Sequence, residues 1–177
     1  MVINWSKFRV LGSLVLLSAF LAPTARTAIE LPKGKELQVV FEQDVSSKHV
    51  TPGQLIPIRL QGAIEVGGIE VVKDGAKGTA RVKKVESARK RGKPGFVEVV
   101  LVELEPNGSY KAESDAKIQL EAITEDGSGT IRAVGKGRKT LSWILGFGFF
   151  IKGTEGVIPA DKPFKAKVKE DINLLVE

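Results

Sequence analysis

Phe96-Val97-Glu98-Val99-Val100-Leu101-Val102-Glu103-Leu104 decides the fold class of this chain. It is the longest and most β-branched of a series of apolar segments, and valine packs well on a pleated, half-buried surface. Working outward, Glu36–Phe41, Leu55–Leu60, Thr79–Val85, Ala116–Ile123 and Phe164–Lys169 repeat the theme, most of them alternating apolar and polar residues with a period of two. Such alternation puts apolar side chains on one face of a strand and charges on the other. Nineteen glycines and eight prolines punctuate the segments. Short alternating strands with turn signals between them predict an all-β fold, a small barrel or sandwich of short antiparallel strands.

Three stretches echo one another. Leu31–Val39, Val72–Ala80 and Ile158–Ala166 each place an apolar residue before a Pro/Gly/Asp turn, and each opens an alternating strand a few residues later. The repeat is too short and irregular for a solenoid. It reads as one supersecondary unit reused within a barrel.

The first 28 residues read differently from the rest. Lys7 and Arg9 give a short basic start, Val10–Ala22 is apolar, and Pro23–Ala28 is a small, helix-breaking exit. These are the three parts of a secretory signal. The apolar part is shorter than the roughly 20 residues a bilayer-spanning helix needs. The expected organisation is therefore a signal peptide over 1–28 and a single β-rich domain over 29–177. Retention of the leader would make it a membrane anchor instead. Export places the protein in the periplasm or outside the cell.

Composition narrows the chemistry. The chain has no cysteine, which excludes disulfides, thiolate metal sites, cysteine nucleophiles and acylation at a lipobox. The formal charge of +6 includes Lys7, Arg9 and Arg26 of the leader; the remaining 24 basic and 21 acidic residues leave +3. This overall balance is that of a mildly basic domain rather than a strong polyanion binder, and no nucleic-acid partner is expected.

Several motifs together carry a resemblance. They are Leu31-Pro32-Lys33-Gly34, Val45-Ser46-Ser47, Gly53-Gln54-Leu55, Val71–Gly78, Ile151-Lys152-Gly153 and Val157-Ile158-Pro159-Ala160. In these turn motifs the chain resembles a family of exported bacterial β-rich domains of mostly unassigned function. It is also similar to the periplasmic β-barrel of type IV secretion core-complex scaffold proteins. The resemblance spans roughly residues 31–170. In those scaffold proteins the barrel is a structural ring component with an extension that reaches the outer membrane; for this chain the resemblance implies the shared β-barrel fold. Aspartate stands at 161, where the late turn of the family usually has glycine.

No catalytic set emerges from the residues. His49, the single histidine, sits beside Lys48 in a polar segment and reads as a solvated loop residue. No serine lies in a G-x-S-x-G elbow. Asp126-Gly127-Ser128-Gly129 reads as a hairpin turn rather than a metal loop. The expectation is a non-enzymatic protein without metal or cofactor.

Two segments stand apart as contact candidates. Glu86–Gly95 is a basic loop, in which Arg89, Lys90, Arg91 and Lys93 are candidates for an anionic partner; the alternative is a solvated hairpin that discourages edge-to-edge aggregation. Leu141–Ile151 is apolar on every side, and Trp143, Phe147, Phe149 and Phe150 are candidates for contact with a partner protein or a membrane surface. The competing reading of that segment is core. The leading functional expectation is a structural or interaction module of the cell envelope. The alternatives are a small-ligand-binding β-barrel and a hydrolase acting on cell-wall polymer.

Overall fold

The computed structural model describes residues 28–90, 92–112, 117–137 and 152–176. It is all-β, with fourteen strands and no helix among the described residues. In chain order they are β1 (Ala28–Leu31), β2 (Glu36–Phe41), β3 (Val45–Ser46), β4 (Leu55–Gln61), β5 (Ile64–Val66), β6 (Ile69–Val72), β7 (Lys77–Glu86), β8 (Phe96–Leu104), β9 (Tyr110–Ala112), β10 (Ile118–Ala122), β11 (Thr130–Val134), β12 (Val157–Ile158), β13 (Phe164–Val168) and β14 (Ile172–Val176).

Six of them close into an antiparallel barrel in the order β10-β13-β2-β4-β7-β8, sealed where Ile118 and Gln119 of β10 pair with Leu104 and Glu103 of β8. The same edge of β8 continues past this seal and pairs Phe96–Val100 with β11. The run that decided the fold class is thus the strand on which the barrel closes and from which β11 departs. The turn around Asp126–Gly129 differs from a hairpin, because the strands it joins, β10 and β11, both pair with β8. Asp126 Oδ1 accepts from the Ser128 N–H over 3.0 Å, which shapes that turn locally.

Period-two alternation translates directly into burial. Leu37, Val39 and Phe41 of β2 point inward, as do Ile56, Ile58 and Leu60 of β4 and Val97, Val99 and Leu101 of β8; none is more than 8% exposed. Small residues complete the packing, with Ala80 on β7, Ala122 on β10 and Ala166 on β13. Phe164 stacks edge-on against Phe41 with ring centroids 5.5 Å apart. Burying each large side chain contributes roughly 1.5–3 kcal/mol, so this interior is the main source of stability for a domain without disulfides. Leu31 and Leu174, from the outer sheet β1-β14-β9, join the same core. β1 begins at Ala28, one residue before the expected domain boundary.

The threefold echo in the sequence is a structural repeat. Leu31, Val72 and Ile158 are all buried, and the turns they open lead into β2, β7 and β13. Each turn contains one residue with positive φ: Gly34 at 82°, Gly75 at 77° and Asp161 at 56°. In each, that residue's N–H donates to a carbonyl of a neighbouring barrel strand: Gly34 to Val168 at 2.8 Å, Gly75 to Leu60 at 3.0 Å and Asp161 to Phe41 at 3.1 Å. Glycine adopts this conformation without strain, and aspartate is among the few other residues that tolerate it.

Candidate functional site

One end of the barrel gathers three segments that lie far apart in sequence. The first is Ser47, just past β3, where the β3–β12 ribbon pairs Val45 with Ile158 and Ser46 with Val157. The second is the β7–β8 hairpin tip, Ser87–Gly95. The third is the strand-like return Lys152–Gly156, which leads into β12. Glu155 ties them together. Its Oε2 accepts from the Ser47 hydroxyl at 2.8 Å and from the Ala88 N–H at 2.8 Å, while Oε1 faces the Lys152 ammonium at 3.3 Å. Ser47 is only 1% exposed, and its hydroxyl also accepts from the Gly156 N–H at 3.0 Å. The Ala88 N–H, followed by the Ser47 hydroxyl and Lys152, holds the Glu155 carboxyl below the usual carboxylate range, and burial opposes them.

Backbone bonds extend this clasp. Gly95 donates to the Thr154 carbonyl at 3.0 Å, and Gly135 donates to the Gly95 carbonyl at 2.8 Å. Thr154 donates to the Lys136 carbonyl at 3.1 Å, and Gly153 to that of Arg89 at 3.3 Å. The segments approach so closely that side chains are excluded. A Cβ on Gly95 would lie 2.5 Å from Ser47 Oγ and 2.7 Å from Glu155 Oε2. A Cβ on Gly135 would overlap the Thr154 carbonyl, and one on Gly153 the Lys93 carbonyl. These glycines are required by proximity rather than by unusual φ.

The clasp places the basic loop beside both stems of the apolar stretch. Arg89 pairs with Lys93 as an antiparallel bridge, and Lys90 pairs with Lys152 in the same way. Arg89, Lys90 and Lys93 are exposed, and Lys136 and Lys152 add to the same positive end. Arg89 shares its charge with Glu86 at 3.2 Å. Gly135–Gly137 leads into the apolar stretch and Lys152–Thr154 leads out of it. Arg91 and the aromatic candidates Trp143, Phe147, Phe149 and Phe150 lie outside the described residues.

Elsewhere the polar groups have structural explanations. His49 is exposed in a turn and its N–H donates to the Ser46 carbonyl at 3.0 Å. Glu103 and Glu105 share one cation, with Lys117 at 2.6 and 3.1 Å, and this pairing raises the Lys117 pKa. Among the described residues no three acids or histidines are placed to hold a metal ion.

Sequence reasoning singled out the basic loop and the apolar stretch but not Ser47 or Glu155, which join them. The available signal was the glycine spacing around the apolar stretch, Gly135 and Gly137 before it and Gly153 and Gly156 after it. No protein-family model matches the chain, and no curated protein matches it.

Proposed function

We propose that this protein is an exported, non-enzymatic interaction module of the cell envelope that docks through its clasp end. The observation that carries this reading is that the basic hairpin meets the exit of the apolar stretch at Glu155, while Gly95 and Thr154 hold the entry stem beside them through Gly135 and Lys136. In this reading Trp143, Phe147, Phe149 and Phe150 supply the apolar contact and Arg89, Lys90, Arg91 and Lys93 the positive charge. Each large apolar side chain moved out of water contributes roughly 1.5–3 kcal/mol, and each cation near an anionic leaflet about 1 kcal/mol. Aromatic anchors beside basic residues suit a membrane–water interface.

The packed interior favours this over the ligand-binding barrel, since Phe41, Ile56, Ile58 and Leu60 occupy the space that a ligand would need. Co-sedimentation with vesicles containing anionic phospholipid tests the proposal. The wild type pellets with the vesicles, and a folded Trp143→Ser/Phe149→Ser variant stays in the supernatant. Wild-type protein that remains soluble at all vesicle concentrations contradicts it.

A further inference from the structure

The outer face of β7, β8 and β11 carries a second charged surface that the clasp end does not account for. Cross-strand register defines it. Lys84 pairs with Glu98, and Glu98 with Arg132; one row further, Glu86 pairs with Phe96, and Phe96 with Val134. A β-bulge between Val82 and Lys84 inserts Lys83, so two lysines stand against the single Glu98. Arg81 lies in the adjoining row, beside Val100.

Phe96 organises this face. The Lys84 ammonium lies 5.4 Å from the ring centroid and the Arg132 guanidinium 5.3 Å from it. A cation over an aromatic face is attracted to the ring quadrupole. The half-buried ring therefore holds two long, otherwise mobile side chains upright on an exposed sheet. Arg132 also engages Glu98 at 3.5 Å. Among the described residues no acid pairs with Arg81, Lys83 or Lys84. Arg81, Lys83, Lys84 and Arg132 thus outnumber Glu98, which stands between Lys84 and Arg132, and Glu86, which engages Arg89, on an exposed sheet face. Such a face gains affinity by many contacts in series rather than by surrounding a small molecule.

We infer that this face binds a linear phosphate polymer, with Lys84 and Arg132 contacting separate phosphates of one chain on either side of Glu98 and Phe96 acting as a positioning residue for both. Arginine offers a fork that matches phosphate, and lysine a point charge. Preorganised cations lose less side-chain entropy when the polymer lands. This goes beyond membrane docking at the clasp end and would let the module hold polymer on its flank while that end is engaged.

The experiment measures binding of fluorescent linear inorganic polyphosphate to the full chain across a salt series. In parallel it measures binding to anionic phospholipid vesicles. Lys84→Gln/Arg132→Gln, both exposed positions, weakens polyphosphate binding by about tenfold at low salt and flattens its dependence on log salt by about one to two units. Phe96→Leu leaves the charge unchanged and still weakens polyphosphate binding by about threefold, which a purely structural or purely electrostatic role would not produce. Vesicle binding stays at the wild-type level in both variants. Absence of wild-type polyphosphate binding, or wild-type affinity in Lys84→Gln/Arg132→Gln, overturns the inference. Equal loss of vesicle and polyphosphate binding also overturns it, by making the face a membrane surface. Failure of vesicle binding alone counts against the clasp-end proposal and leaves the polymer result intact.

Discussion

Ser47 and Glu155 are 108 residues apart in sequence, yet the Ser47 hydroxyl donates to Glu155 Oε2 over 2.8 Å. Ser47 is buried and Glu155 half-buried, and the same carboxylate oxygen receives the Ala88 N–H. One side chain thereby fixes the β7–β8 hairpin, the end of β3 and the exit of the apolar stretch. Removing it leaves a part-buried amide and hydroxyl without their acceptor, at about 1–3 kcal/mol. Glu155→Ala is expected to lower unfolding free energy by about that amount, as read by urea denaturation. An unchanged midpoint would mean that water replaces the carboxylate without cost.

The pH dependence follows from the same group. The Glu155 pKa is lowered in the folded chain, by the Ala88 N–H first and then by Ser47 and Lys152. A carboxyl whose folded pKa is lowered contributes stability above its unfolded pKa, near 4.3 for glutamate. That stability is lost as pH falls through the folded value. Wild type is therefore more stable than Glu155→Gln at pH 7, and the gap narrows below about pH 4. Asp126 acts with the same sign but lower, since Ser128 and Thr124 hold its carboxyl at about 2. Stability curves of the two proteins taken from pH 7 to pH 3 check this, and a gap that widens in acid contradicts it.

Gly95 tests the close approach. A methyl there would lie 2.5 Å from Ser47 Oγ, 2.7 Å from Glu155 Oε2 and 2.8 Å from the Ala88 nitrogen. Gly95→Ala should destabilise by about 1–3 kcal/mol, as overpacking does. In the double variant Gly95→Ala/Glu155→Ala the two losses should add to less than their sum, because both act on one contact set. Full additivity in a thermal-unfolding cycle would separate the glycine from the clasp.

Asp161 tests the turn repeat. It holds a φ of 56° where its two counterparts are glycines, and its carboxylate pairs with Arg59 at 2.5 Å on the open surface. That exposed pair contributes at most about 1 kcal/mol. Asp161→Gly removes the strain along with the pair and should stay within about 0.5 kcal/mol of wild type, whereas Asp161→Ala keeps a strained backbone and loses about 1 kcal/mol. Equal effects of the two substitutions would sink this reading of the turn.

Much of the barrel was legible in the residues because period-two alternation and burial have the same cause. Glu36–Phe41 and Phe96–Leu104 are strands at the bounds the alternation implied. Short strands such as Val45–Ser46 and Val157–Ile158 were not, since two residues show no period. Their pairing comes from long-range contact, as does the Ser47–Glu155 bond. Thr130–Val134 was missed for a related reason: its burial rests on the edge of β8 that the barrel seal leaves over. The basic loop could be read as a charge run, but its position beside Lys152 could not, because a bridge between Lys90 and Lys152 leaves no mark in local sequence.

Trp143 offers a direct probe of membrane anchoring through the apolar stretch. The chain has two tryptophans, Trp5 in the leader and Trp143 in the stretch, so a Trp5→Phe background leaves one reporter. Its emission is recorded as vesicles of anionic phospholipid are added, with and without brominated acyl chains. Anchoring gives a blue shift with plain vesicles and strong quenching with brominated ones. Emission that is unchanged by either vesicle would contradict it and return the stretch to the protein core.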